Sequence, residues 1–146
     1  GFTISKENIP ALESKLYAIA DRDLNKSLSP TLEIDAHIQF EALNHDNLKF
    51  LIDLEPYGEG NPRPIFTSKN VLVLQCETLG ADGQHIRFKL KQGDQIWNGI
   101  AFNQGHKVKE DNLRNNSTID IVYSVGTNKW RGNIETRLVI EDFKVT

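Results

Sequence analysis

The spacing of apolar positions changes period along this chain, and each change predicts an element. Near the start, Ile9, Leu12, Leu16, Ile19 and Ala20 recur at helical intervals, so a helix capped at Asn8 and running to about Leu24 has one face to bury. Pro10 falls in its first turn, where a missing N–H costs nothing. Residues 25–30 are polar and end in Pro30, a loop signal. Over residues 31–40 the period drops to two, with Leu32, Ile34, Ala36, Ile38 and Phe40 alternating against Glu33, Asp35, His37 and Gln39; this predicts a half-buried strand. A second helix is expected from Asp46 or Asn47, carrying Leu48, Leu51, Ile52 and Leu54, with Pro56 as its stop. Phe2 and Ile4 read as the end of one more strand, so residues 1–55 read as part of an α/β unit.

Beyond residue 66 helical spacing gives way to five extended runs, at residues 70–79, 84–92, 95–102, 117–126 and 130–145. Gly80-Ala81-Asp82-Gly83, Gly93-Asp94 and Thr127-Asn128-Lys129 supply turns. The one long insertion, residues 103–116, has only Val108 and Leu113 to bury and reads as a short helix or a loop. Five antiparallel strands with an insertion after the third is the layout of an OB-fold barrel, with a five-stranded SH3-like barrel as the all-β alternative. The predicted fold class is therefore α+β: a small α/β portion, then a five-stranded OB-fold barrel.

Between the halves lies a run that suits neither helix nor strand. Pro56, Tyr57, Gly58, Gly60, Asn61, Pro62, Pro64 and Phe66 fall within residues 56–66. Each proline fixes φ at about −65° and removes a donor, while Gly58 and Gly60 permit positive φ. The run can hold one bent path, anchored by the rings of Tyr57 and Phe66, and composition alone makes it a structured connector without chemistry of its own.

The string PYGEGNPRPIF resembles the P-[FY]-G-x-G-N-P-x-P-x-F signature of the bacterial RecJ exonucleases, which degrade single-stranded DNA from the 5′ end. Gly1-Phe2-Thr3-Ile4 resembles the strand that follows the Gly-Gly-His motif of that family's DHHA1 domain, and Asn128-Lys129-Trp130-Arg131-Gly132 the N-x-W-x-G turn late in its OB domain. The resemblance runs the length of the chain. It implies that residues 1–55 are the C-terminal portion of a DHHA1-like domain, 56–66 the connector and 67–146 the OB domain. It implies a cytoplasmic parent enzyme of DNA repair and recombination that uses Mn or Mg. The implied partners are single-stranded DNA, the remaining DHH and DHHA1 domains and another repair protein. The DHH metal ligands and the Gly-Gly-His motif would lie before Gly1.

Composition agrees with this division. The net charge is −3, yet residues 1–62 carry 5 Lys/Arg against 11 Asp/Glu, and residues 63–146 carry 12 against 9. Only the second part is a candidate for contact with a polyanion. The chain has no Met, even at position 1, so part of a longer protein is expected; its one cysteine, Cys76, suits a reducing compartment. No apolar run reaches the roughly 18 residues of a membrane span.

Candidate chemistry is confined to the barrel. In the second run Ile86, Phe88 and Leu90 face one way and Arg87, Lys89 and Lys91 the other. Three cations on one strand face can track a phosphate backbone, or form a solvated edge that deters strand pairing. Trp97 and Tyr123 are rings suited to a core or to base stacking. Lys129, Trp130 and Arg131 place an indole between two cations, where a base could stack and phosphates pair; the same indole could instead plug the barrel. Asp35 and His37 share a strand face but are too few for a metal site, and a solvated face accounts for them. No phosphate-binding Gly loop and no dense His/Asp/Glu cluster occurs. The chain by itself is expected to bind DNA without cleaving it and to need no cofactor, with a structural or protein-docking module bracing the nuclease core as the alternative.

Overall fold

In the computed structural model, which describes residues 1–23, 31–130 and 133–146 and all their side chains except those of 129, 130, 133 and 134, the chain divides into two units, Gly1–Leu32 and Glu33–Thr146. In the first, a 3₁₀ turn at Lys6–Asn8 leads into helix α1, Ile9–Asp23. The helix starts where the pattern predicts, but none of its residues is buried. Residues 1–4 form no strand, since two alternating apolar residues find no neighbouring strand among the described residues.

The second unit begins with the predicted strand at 31–40, which shrinks to two residues, β1 (Ala36–His37), paired parallel to Phe66 and Thr67. Two contacts explain the change. Asp35 turns its carboxylate to accept the N–H of Ile65 at 2.8 Å, and after Ile38 the chain dives inward as a 3₁₀ turn, Phe40–Ala42. Phe40 enters the core with no exposure left, its N–H donating to Gln92 Oε1 at 2.7 Å, while Leu32 and Ile34 stay outside. The alternation thus marks a path into the core. Helix α2 (His45–Asp53) follows, capped by Asn44, whose Oδ1 accepts from the N–H of Asn47 at 3.0 Å.

Five long strands come next: β2 (Phe66–Leu79), β3 (His85–Gln92), β4 (Gln95–Ala101), β5 (Thr118–Trp130) and β6 (Asn133–Val145). Their order is β2-β3-β4-β6-β5, and β2 also pairs with β5, which closes the ring. The first barrel strand pairs with both the second and the fourth, and the third runs parallel to the fifth. This connectivity is the OB-fold, as the run lengths predict. β2 serves two neighbours by bending at Asn70, whose φ is 55° and whose N–H is held by Asp120.

Alternation along each strand sends Val71, Val73, Ile86, Phe88, Leu90, Ile119, Ile121, Leu138 and Ile140 inward. Phe40 and Leu43 pack with them, and Ile38 and Leu48 lie against them. Residues 33–55, which proline content alone separates from the barrel, therefore pack as part of it. The insertion forms a short helix, α3 (Lys107–Glu110), and Leu113 just beyond it is buried. Ahead of it Gly105 donates its N–H to the carbonyl of Gln84 at 2.9 Å, and a Cβ there would stand 1.7 Å from the carbonyl oxygen of Gly83. The turn expected at 127–129 is strand instead, because Thr127 and Asn128 find partners in Thr136 and Glu135 and pairing runs on to Trp130 and Asn133. Among the described residues no helix is long and apolar enough to cross a membrane.

Candidate nucleic-acid interface

The pleat of β3 fixes the candidate interface. With Ile86, Phe88 and Leu90 buried, Arg87, Lys89 and Lys91 must point outward from one strand face, at steps of roughly 6.8 Å. Arg87 and Lys89 are exposed and Lys91 is half-buried. Pairing then decides their neighbours: Glu77 of β2 stands opposite Arg87, Gln75 opposite Lys89, and Asn98 of β4 on the other side of Lys89.

These neighbours are engaged with one another. Arg87 Nη2 meets Glu77 Oε2 at 2.5 Å, and Gln75 Nε2 donates to Glu77 Oε1 at 2.5 Å. Asn98 Nδ2 donates to Glu135 Oε1 on β6 at 2.7 Å. The hydrogen bond from Arg87, and then its charge, hold the Glu77 carboxyl below its usual range. A hollow of about 130 Å³ lies between Gln75, Glu77, Arg87, Lys89 and Asn98. A second, of about 420 Å³, is lined by Arg87, Asn98, Asn128, Glu135 and Arg137. Arg87 and Asn98 border both, so the hollows form one shallow trough across β2, β3, β4 and β6 that reaches Asn128 of β5.

The aromatic candidates are distributed differently. Trp97 sits on the opposite face of β4 from Asn98, across from inward-facing Leu90, and packs half-buried against the core. Strand parity therefore separates its ring from the three cations, and of the two uses expected for Trp97, core or base stacking, the packing is that of the core. Tyr123 is wholly buried and its hydroxyl lies 3.0 Å from Ser68 Oγ, which in turn donates to the carbonyl of Ile38 at 2.7 Å. Burial pushes its pKa up to about 12, against a smaller opposing effect of the Ser68 hydrogen bond. The side chains of Lys129 and Trp130, and Arg131 altogether, lie outside the described residues.

The connector is a clamp. Gly58 and Asn61 exchange backbone hydrogen bonds at 2.9 and 3.1 Å around Gly60, whose φ of 82° calls for glycine. Asn61 Nδ2 reaches the carbonyls of Leu54 and Pro56, both at 3.0 Å, and Tyr57 donates its hydroxyl to the carbonyl of Leu51 at 2.5 Å. Phe66 packs its ring 6.1 Å from that of Tyr123. Pro64 lines an apolar hollow beside α2, with Phe66 and Phe50. Pro62 is exposed. Arg63, which composition does not single out, is the hub: it stacks 4.6 Å above the Tyr57 ring and donates to the carbonyl of Val125 at 2.6 Å.

A metal finds little to hold it here. Among the described residues no group of three or more His, Cys, Asp or Glu side chains is placed to bind one, and the Asp35 carboxylate is taken up by the backbone of Ile65.

The barrel, its β1 and α2 preface and the connector can be set beside known proteins. A model of the RecJ OB domain matches residues 34–142. The chain belongs to the RecJ OB domain family. That span starts beside Glu33, where the compact unit begins. Over 147 aligned residues the chain is 26% identical to the single-stranded-DNA-specific exonuclease RecJ of Bacillus subtilis (strain 168), covering 100% of this chain and 18% of that protein. Crystal structures of RecJ from Thermus thermophilus agree in fold. The complex with Mn2+ has a TM-score of 0.67 at 24% identity, covering 99% of this chain and 20% of that one. The complex with Mg2+ has a TM-score of 0.64 at 26% identity, covering 99% and 21%. The chain thus spans about a fifth of the RecJ proteins it matches.

Within this RecJ OB barrel, Glu77, Asn98 and Glu135 are site neighbours that residue type alone does not reveal. Glu77 was within reach of counting: a turn at Gly80–Gly83 that pairs Leu79 with His85 puts residue 77 across from 87. Glu135 was not, because it arrives through the parallel pairing of β4 with β6.

Proposed function

We propose that this chain is the single-stranded-DNA-binding part of a RecJ-like nuclease, and that the trough over β3 and β4 receives the sugar-phosphate backbone. The observation that carries the reading is the row of Arg87, Lys89 and Lys91 on one outward face of an OB barrel. OB-folds bind oligonucleotides on the face of their second and third strands, here β3 and β4, and on the loop joining the fourth to the fifth. Lys129 and Trp130, the last residues of β5, and Arg131, which follows them, are proposed to extend the site, the indole as a stacking platform. Residues preceding the barrel unit are proposed to end a DHHA1-like domain. Bond cleavage, from the 5′ end and with Mn or Mg, is assigned to parts of the cytoplasmic parent protein beyond these residues, and this chain holds the strand for it.

A bracing role is the second reading, in which the unit docks against the nuclease core or another repair protein. Exposed Phe50 and Ile52 on α2 favour it. Fluorescence anisotropy with a single-stranded oligonucleotide over a salt series separates the two. Replacing Lys89 and Lys91 with Ala should make log K against log salt shallower by roughly 0.7 per lost phosphate contact. An unchanged slope, or no binding by the parent sequence at low salt, overturns the DNA reading. Incubation of the chain with labelled single-stranded DNA and Mn2+ is expected to yield no products, and shortening of the strand would reassign the chemistry.

A further inference from the structure

We infer that Glu77 is a brake on this interface: its carboxylate holds the Arg87 guanidinium in the place of a phosphate oxygen, so a nucleic acid gains Arg87 only by displacing it. The inference rests on the reading of the trough as a DNA-binding surface.

The geometry is specific. Register places Glu77 directly across from Arg87, and the two meet at 2.5 Å. Gln75 holds the other carboxylate oxygen at 2.5 Å, so the group is fixed from two sides and aimed along the strand face. The Glu77 oxygen accepts a guanidinium N–H as an anionic phosphate oxygen does, which makes it a fitting stand-in. The pair has no evident structural duty. Its side chains are 61% and 41% exposed and lie outside the core, and exposed pairs of this kind add little to stability.

What the pair changes is the exchange on binding. Lys89, exposed and with no carboxylate bonded to it among the described residues, displaces condensed counterions from the nucleic acid when it meets a phosphate. Arg87 only trades one anion for another. A trough wired this way holds a strand weakly at the Arg87 position and lets it go readily, as a surface must if DNA is to move past it.

The test is a double-mutant cycle read by anisotropy with a fluorescent oligo-dT over a salt series. Glu77→Gln should tighten binding about two- to fivefold at low salt, the size of an exposed ion pair. The log–log salt slope should steepen by roughly 0.7, one added phosphate contact. In an Arg87→Ala background the same change should do almost nothing. An equal gain in both backgrounds would mean a general charge effect, and no gain in either would mean the pair does not compete; both overturn the brake. Glu77→Ala should reproduce the gain, and a failure to do so counts against it. Lys89→Ala with Lys91→Ala distinguishes the levels. If that variant binds as well as the parent sequence, the trough reading falls and the brake with it. If it weakens binding while Glu77→Gln is inert, only the brake falls.

Discussion

Arg63 and Arg87 lie on the same unit, each with a carboxylate in reach, and they differ in everything that decides whether a phosphate could take them. Arg63 is spent on the protein: one nitrogen bonds the Val125 carbonyl, the plane covers Tyr57, and Glu55 is 3.8 Å away. Around it Tyr57, Asn61 and Phe66 tie the connector to α2 and to the barrel. Among the described residues Arg87 donates to no backbone carbonyl, and it leans on one exposed side chain. The comparison extends to the regions: a clamped end built from backbone carbonyls and rings, and an open face built from side chains that bond each other. Charge counted along the sequence treats the two arginines alike. A bonded carbonyl can be given up only at a cost to the fold, whereas a side-chain partner can be exchanged for a ligand.

The sharpest way to break this contrast is at the clamped end. Phe40→Ala should cost about 3–5 kcal/mol, because it empties a fully buried site against the Tyr123 ring. Thermal or urea melting reads it, and a mild effect would mean that residues 33–55 are not part of the barrel's core. Gly60→Val forces a branched side chain to a φ of 82° and should cost about 1–3 kcal/mol; unchanged melting would make the connector a slack tether. The two arginines then test each other. Arg63→Ala should lower stability by about 1 kcal/mol, at the low end for a charged hydrogen bond because the group is partly exposed, and leave the salt slope of DNA binding alone. Arg87→Ala should leave melting within about 0.5 kcal/mol. Reversed results would exchange the roles of the regions.

The effect confined to the most alkaline conditions is one of pH. The folded-state pKa of Tyr123, about 12, stands above its ordinary 10. The native protein therefore keeps a proton that the unfolded chain gives up, and the contribution is complete below pH 10 and lost as pH rises towards 12. Tyr123→Phe should flatten that alkaline decline, measured as melting temperature against pH. An unchanged decline would assign it to other groups.

What sequence could reveal follows from the range of the interactions. The outward row of Arg87, Lys89 and Lys91 was legible because strand parity is local, and so was the start of α1. The connector was legible through its prolines and glycines, and its resemblance to RecJ carried the family. Phe40's dive into the core was hidden because its partner Gln92 is 52 positions away. Parity would also have put Trp97 on the inner face, had the direction of β4 been derived from Leu90 across the hairpin. The hairpin's extra length past Thr127 depends on partners in β6 that no turn signal announces.

Ring closure joins Phe66 to Tyr123, so the barrel has a timetable as well as a shape. The β2-β3-β4 meander is made of neighbouring segments and can assemble early, carrying the cationic row with it. Its two outer edges stay open until β5 and β6 arrive, since β2 waits for β5 and β4 for β6. During synthesis, from the emergence of β4 to that of β6, the chain presents two unpaired edges. That interval is when it is most exposed to association with its own copies.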